Sequence, residues 1–285
     1  MGKTIMICNQ KGGVGKTTTT LELSTLYARQ GKKVLAIDMD GQRTLSKFVK
    51  ANLKKSTLRD VLLTLQDISE EMNSIDNINE EEFTDSITKD AIQHIEEGFD
   101  IIPASNKQDS SEKDFNETTD LLLIADMFDE LVDDYDYIFL DCAPARGPLL
   151  FMAYIACDYC IVVSDAEISS IDGIKNIIID LQTLEKNTIK AKAKILGLLL
   201  TQNKDYNVHL EQYQRLIEFT KYGAVPFDTT IYEGVIVKEA HNKYMSISAY
   251  VDAGNRAIKQ KAKSVLDSYK DLQREIEERI KEMEA

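Results

Sequence analysis

The sequence predicts an α/β fold, a mostly parallel twisted sheet with helices on both faces, and three observations carry that expectation. Short, nearly continuous apolar runs recur at Lys3 to Cys8, Lys33 to Ile37, 99–102, 137–140, 159–163 and 195–200, with helical patterns between them. Strands buried on both faces read this way, and alternation with helices is the mark of parallel crossovers. The chain has 285 residues, 43% of them hydrophobic and 29% charged, which suffices for a substantial core and excludes collagen-like, mucin-like and wholly disordered classes. It has only 4 prolines and neither a linker nor an internal repeat, so one domain over 1–285 is expected.

The elements follow in order. Lys3 to Cys8 has β character and runs into a Gly-rich loop. Lys16 to Gln30 then reads as a helix whose buried face carries Leu21, Leu23, Leu26 and Tyr27, and Gly31 ends it. Asp38 and Asp40 close the second apolar run. Residues 66–98 are acidic and without Gly or Pro until Gly98, and Ile68, Met72, Ile75 and Ile78 suggest short helices there. This segment reads as an insertion within the domain. The C-terminal stretch 255–285 is one long helical pattern with a stripe of Ile258, Val265, Leu272, Ile276, Ile280 and Met283.

Charge divides the chain. The net value is -14, yet from Asp67 to Asp136 there are 23 acidic residues against Lys89, Lys107 and Lys113, so that block holds -20 and the remainder +6. An acidic solvated surface explains the block, and a basic remainder keeps nucleic acid open as a partner. The longest apolar stretch, Leu149 to Val163, is broken by Asp158 and falls short of the roughly 20 residues of a membrane span. The opening MGKTIMICNQKGG lacks the apolar core of a signal peptide, and Met6 stands where N-myristoylation wants Ser or Thr, so a cytoplasmic protein is expected. Cys8, Cys142, Cys157 and Cys160 lie in or beside apolar runs, as buried reduced thiols would. Cys157 and Cys160 have C-x-x-C spacing, but no second pair completes a four-thiolate site.

The decisive segment is Lys11-Gly-Gly-Val-Gly-Lys-Thr-Thr18, set between a strand and a helix. Gly12, Gly13, Val14 and Gly15 let successive backbone N–H groups converge on phosphate oxygens, and the helix that follows adds its positive end through Lys16, Thr17 and Thr18. The Lys16 ammonium suits the β- and γ-phosphates of ATP, and the Thr17 hydroxyl suits Mg2+. Gln10 replaces the first glycine of the generic phosphate loop, giving the deviant form K-G-G-x-G-K-T.

With that loop the chain resembles the ParA/MinD family of deviant Walker ATPases, closest to the ParA-type partition ATPases, from Lys3 to about Tyr250. Ala36-Ile-Asp-Met-Asp-Gly-Gln42 is similar to the family's D-x-D-P-Q segment. Tyr137-Ile-Phe-Leu-Asp141-Cys-Ala-Pro144 is similar to its Walker B motif, Gly197 to Thr201 to the strand before its adenine pocket, and Glu239-Ala240 to its E-A-P element. The resemblance implies a P-loop fold, ATP hydrolysis with Mg2+, and an ATP-dependent sandwich homodimer in which Lys11 of each subunit reaches the other's γ-phosphate. A cation supplied only by the partner would couple hydrolysis to dimerisation as an arginine finger does; a solvated loop lysine is the plainer alternative. Asp40, just past a strand end, is the candidate for orienting the attacking water, with Asp38 and Asp141 as outer Mg2+ ligands. Helix capping would also explain Asp38 and Asp40. Asn203 and Pro226 resemble adenine-pocket positions. Departures from the family are Gly41, Arg43-Thr44, Ala143 and His241, all in switch-like loops.

Family members divide by what the ATP-bound dimer sits on. ParA-like proteins bind DNA without sequence preference and are released by a ParB-like centromere-binding partner, whereas MinD-like proteins lie on membrane through a C-terminal amphipathic helix. Asp271 to Ala285 is rich in acids and lacks Trp and Phe, which an anionic membrane would repel. Two basic clusters suit a phosphate backbone: Lys190, Lys192 and Lys194 with Lys186 before them, and Arg256, Lys259, Lys261 and Lys263. A partition ATPase associated with the nucleoid is therefore expected, ahead of a membrane-positioning ATPase, a bacterial tyrosine kinase and an iron–sulfur carrier.

Overall fold

The computed structural model describes residues 2–72, 88–107, 114–115, 118–165, 167–203, 206–232 and 234–285. Its strands are β1 (Lys3–Cys8), β2 (Val34–Asp38), β3 (Gln93–His94), β4 (Asp100–Ile102), β5 (Tyr137–Asp141), β6 (Tyr159–Ser164), β7 (Lys194–Asn203) and β8 (Pro226–Tyr232). They form one sheet in the order β3-β4-β2-β5-β1-β6-β7-β8. All neighbours pair in parallel except β3 with β4. Every strand but β3 therefore points its C-terminal end the same way, and the loops leaving those ends share one edge of the molecule.

The pleat sorts β1 cleanly. Met6 and Cys8 face one core, together with α3 (Leu58–Met72), α4 (Leu123–Leu131), α5 (Pro148–Ala156), α6 (Ile168–Leu184) and Leu216 of α7 (Tyr206–Ile217). Ile5 and Ile7 face the other, with α1 (Lys16–Arg29), α2 (Thr44–Phe48), α8 (Val235–His241), α9 (Ile247–Asp252) and α10 (Arg256–Glu284). The expected architecture, with both faces covered, is present.

The reading of 66–98 needs correction. Ile68 lies within the long helix α3, which starts at Leu58 and carries Leu58, Val61, Leu62 and Leu65 in the core, while Ile75 and Ile78 lie outside the described residues. Gln93 and His94 form the antiparallel edge strand, and Gln93 exchanges side-chain hydrogen bonds with both backbone groups of Asn52 at 2.7 and 3.1 Å. The end of the segment is thus part of the sheet edge. Its polarity hid a two-residue strand.

The C-terminal helix α10 has 29 residues, about 43 Å at the α-helical rise. Asn255 caps it by accepting from the Ala257 and Ile258 amides. Val265, Leu272, Ile276 and Ile280 are buried as expected, joined by Ala262 and Tyr269, whereas Met283 is exposed. Near its end α10 secures the border strand. The Glu275 carboxylate accepts the Asp228 and Thr229 amides of β8 at 2.9 and 3.0 Å, and Arg279 stacks on Phe227 and donates to the carbonyls of Leu196, Val225 and Pro226. Glu284, one residue from the terminus, meets Lys3 and Tyr159 where β1 and β6 begin. The helix therefore starts at the edge of the strand-leaving loops and finishes at the opposite edge.

Candidate nucleotide-binding site

The loop from Asn9 to Gly15 leaves β1 and opens α1. Gly13 and Gly15 adopt φ of 78° and 97°, in the left-handed region that a Cβ penalises, which is why glycine stands there. Thr19 donates to the Gly15 carbonyl and starts the helix. Three side chains fix the loop from outside. Asn9 accepts the Lys11 amide at 3.1 Å and donates to the carbonyls of Val163 and Ser170. Thr201 of β7 donates to the Val14 carbonyl at 2.7 Å. Gln10 accepts from Asn176 of α6 at 2.8 Å, so the residue that replaces the usual glycine has become a bracket to that helix. At Gly173 α6 comes so near that a Cβ would lie 2.1 Å from Asn9 Oδ1. We expect Gly173→Ala to lose about 2 kcal/mol by overpacking and to weaken Mg-ATP binding as Asn9 is displaced, checked by urea melts with and without nucleotide. Unchanged nucleotide binding would separate α6 from the loop.

Asp38 and Asp141 end neighbouring strands and sit side by side in register. Both are buried. Asp38 accepts from the Ser46 amide and hydroxyl and from the Asp40 amide at 2.6–3.1 Å; burial, helped by Asp40, nevertheless pushes its pKa up to about 6. Burial, then the charge of Asp38, holds Asp141 well above the ordinary carboxylate range. Neither Asp141 oxygen has a hydrogen-bond partner of good geometry, although the Thr17 hydroxyl is near enough to oppose the shift. Lys16 is the local cation: 7% exposed, it donates to the Lys11 carbonyl at 2.9 Å, and burial lowers its pKa against the pull of Asp141. Two desolvated carboxylates against one ammonium are a charge-deficient site that a divalent cation completes, so Thr17, Asp38 and Asp141 fit Mg2+. When bound, Mg2+ supplies charge neutralisation on the transferring phosphate. Asp40 lies at the rim, half-buried; it accepts the Gln42 amide at 2.9 Å and contributes charge at Lys16 and Asp141.

Lys11 is committed elsewhere. Its ammonium bonds Asp165 and, at 2.7 Å, Glu167, the residues leading from β6 into α6, and its side chain is 20% exposed. Burial would lower the Lys11 pKa, but these two bonds outweigh it and raise it. Asp165 and Glu167 were missed from sequence, although they follow an apolar strand just as Asp38 and Asp141 do. Arg146, in the loop after Asp141, forks onto buried Asp180 of α6 at 2.6–3.2 Å. Of the departures, the His241 ring packs on Phe48 of α2 with centroids 4.4 Å apart, and Arg43, at the start of α2, has a φ of 56°.

The sheet separates other expected residues from this site. Asn203 ends β7 on the loop edge, its side chain lying outside the described residues. Pro226 opens β8, beside Leu196 at the Arg279 bracket, and the part of β8 level with Thr201 and the phosphate loop is Thr230 to Tyr232. Pro226 is therefore at the wrong end of its strand for an adenine contact. Lys190 and Lys192 precede β7 and Lys194 opens it, all three exposed and at the opposite edge, where Lys192 pairs with Asp158. Arg256, Lys259, Lys261 and Lys263 are exposed on the first turns of α10 at the loop edge, with Lys261 3.8 Å from Glu239. The two basic clusters cannot form one surface. All four cysteines are buried, with Cys8 and Cys160 sulfurs 3.2 Å apart, and among the described residues no cluster of His, Cys, Asp or Glu is arranged to hold a metal by itself. Such thiols cannot bridge two subunits.

A glycine-turned amide loop facing strand-end carboxylates defines the class, a phosphate-loop nucleoside triphosphatase. The family model described as AAA domain matches residues 2–195. The chain belongs to that family and, within it, to the ParA/MinD ATPases. The chromosome partitioning protein ParA of Caulobacter vibrioides is 27% identical over 280 residues, 95% of this chain and 96% of that one. Among solved structures, apo McdA of Cyanothece superposes with a TM-score of 0.72 at 20% identity, over 94% of this chain and 99% of its own. The septum site-determining protein MinD of Pyrococcus horikoshii, complexed with Mg-ADP, gives 0.66 at 22%, over 95% and 96%.

Proposed function

We propose that this ATPase partitions DNA: Mg-ATP assembles a sandwich homodimer that binds duplex DNA without sequence preference, and hydrolysis stimulated by a ParB-like centromere-binding partner releases it. Lys11 carries the reading. Its ammonium is held away from its own loop by Asp165 and Glu167 and stays partly accessible, so it can be re-paired with a phosphate approaching from a second copy. Lys16 serves the chain's own nucleotide. The basic start of α10 lies at the same edge as the phosphate loop and supplies a surface for phosphate backbone, which would place the protein on the nucleoid. The apolar stripe of α10 speaks against a MinD-like membrane role, because Leu272, Ile276 and Ile280 are spent inside the protein. No helix of the described residues is long and apolar enough to cross a membrane. Tyr269, the one tyrosine after Tyr250, is buried, unlike the tail of a tyrosine kinase.

The test is binding to a duplex of arbitrary sequence in ATP and in ADP, with Asp40→Ala alongside the wild type. Binding should require ATP and fall about a hundredfold between roughly 50 and 200 mM salt. Replacing Arg256, Lys259, Lys261 and Lys263 by Gln should abolish it, while the same change at Lys190, Lys192 and Lys194 should not. Asp40→Ala should dimerise and bind yet turn over ATP at least about a hundredfold more slowly. Equal binding in ADP, or ATP-dependent recruitment to anionic vesicles instead of DNA, would reject the partition reading.

A further inference from the structure

The phosphate-binding helix carries a carboxylate the nucleotide site does not use. Glu22 is fully buried on α1, between Leu21 and Leu23. Its Oε1 accepts the Ile247 amide at 2.6 Å, the Ser248 amide also bonds the carboxyl, and Oε2 has no partner. A second acid stands beside it: Glu97, in the turn between β3 and β4, accepts the Ser246 amide at 2.8 Å and the Thr25 hydroxyl of α1 at 2.9 Å. Glu22 and Glu97 thus receive three consecutive amides at the entry to α9, while Ser246 caps the helix by accepting from Ala249.

The groups facing Glu22 are Glu97 across the α9 entry, Arg29 further along α1, and Tyr269 of α10, itself near Thr19. Arg29 is paired with Asp252 at the far end of α9. Burial dominates, the amide bonds and Arg29 oppose it, Glu97 reinforces it, and the Glu22 pKa is pushed up to about 8. α9 is in turn linked to the reaction. It packs against α8, whose His241 lies on Phe48 of α2, and α2 holds Asp38 through Ser46.

We infer that Glu22 is a positioning residue of the ATPase: as a neutral carboxylic acid it fastens α9 to the phosphate-binding helix, and losing its proton undoes that fastening. A neutral carboxyl can accept the amides without placing charge in the interior. Its anion would be a second negative charge next to Glu97, with one oxygen lacking any donor, and is relieved only if water enters or α9 moves away. The slack then passes through α8 and α2 to the Asp38 loop, so the effect falls on turnover rather than on nucleotide affinity.

Amide hydrogen exchange of the whole chain, followed from about pH 7 to about pH 9 and corrected for intrinsic exchange, tests this directly. In the wild type, protection of Ile247 and Ser248 should fall about tenfold across that range, and kcat should fall with the same midpoint while KM for ATP stays constant. Glu22→Gln keeps the acceptor and cannot ionise, so its protection and kcat should be flat there. Glu97→Gln should move the wild-type transition to lower pH. The part of the protonated-carboxyl infrared intensity near neutral pH that Glu22→Gln loses relative to the wild type reads the Glu22 proton without reference to activity. The same alkaline course in Glu22→Gln as in the wild type, or no loss of that intensity in Glu22→Gln, overturns the inference.

Discussion

Asp141→Asn should slow Mg-ATP turnover by about a hundredfold or more and at the same time make the nucleotide-free protein about 2 kcal/mol more stable near neutral pH. The two effects have one cause. In the fold the Asp141 anion is fully desolvated and faces Asp38, and those costs exceed the help it has from the Thr17 hydroxyl and Lys16, since the net shift of its pKa is upward. An acid with a raised pKa in the folded state makes the fold less stable as pH climbs from its unfolded value near about 4. The asparagine removes that slope, while Asp40 still offers Lys16 a negative charge. Unfolding free energies at about pH 5 and about pH 8 should thus diverge in the wild type more than in the variant. Mg2+ loses a ligand-side charge, so turnover falls. A variant that is destabilised at both pH values would refute the account.

Lys11→Ala should lose about a thousandfold in turnover while its melting behaviour changes by less than about 1 kcal/mol. The ion pairs it breaks are partly exposed on the Glu167 side, and screening leaves little of their energy. Its effect on acid stability has a definite sign. Burial works to raise the Asp165 pKa, but the bonds from Lys11 and Ser170 prevail and lower it, so this contribution is present above the ordinary aspartate pKa and fades as pH falls through the depressed one. Without Lys11 the acid limb should begin at higher pH. In the proposed dimer the missing ammonium is the one owed to the neighbouring γ-phosphate, which is why the loss appears in kcat. ADP affinity within about twofold of wild type would show that the loop itself is intact, whereas preserved turnover would remove Lys11 from the chemistry.

The layers of the fold were legible because strands buried on both faces have no polar positions to blur them, as in Ile5 to Cys8 and Ile138 to Leu140. The phosphate loop was legible because two left-handed residues and a buried lysine leave few sequence alternatives. The inward turn of Glu22 was not: between two leucines it reads as the wet side of an amphipathic helix, and only the covering of α1 by α9 and α10 makes it interior. Asp165 and Glu167 carry the same signal as Asp38, Asp40 and Asp141, acids at the end of an apolar run. The end of the strand on which Pro226 and Lys190 to Lys194 lie was readable in principle. In a parallel sheet whatever precedes a strand lies on the edge remote from the phosphate loop, whether or not its residue types suit the ligand.

The bracket of Glu275 and Arg279 on β8 limits how copies of this chain can grow into larger arrays. A bare border strand offers its amides and carbonyls to any extended segment, the usual route to fibres and runaway sheet extension. Here two amides in the middle of that border are already taken by a carboxylate, and nearby carbonyls by a guanidinium. A newcomer pairing along the middle of that margin would first have to prise α10 loose along its last turns, so the helix that closes the core also guards the edge of the sheet.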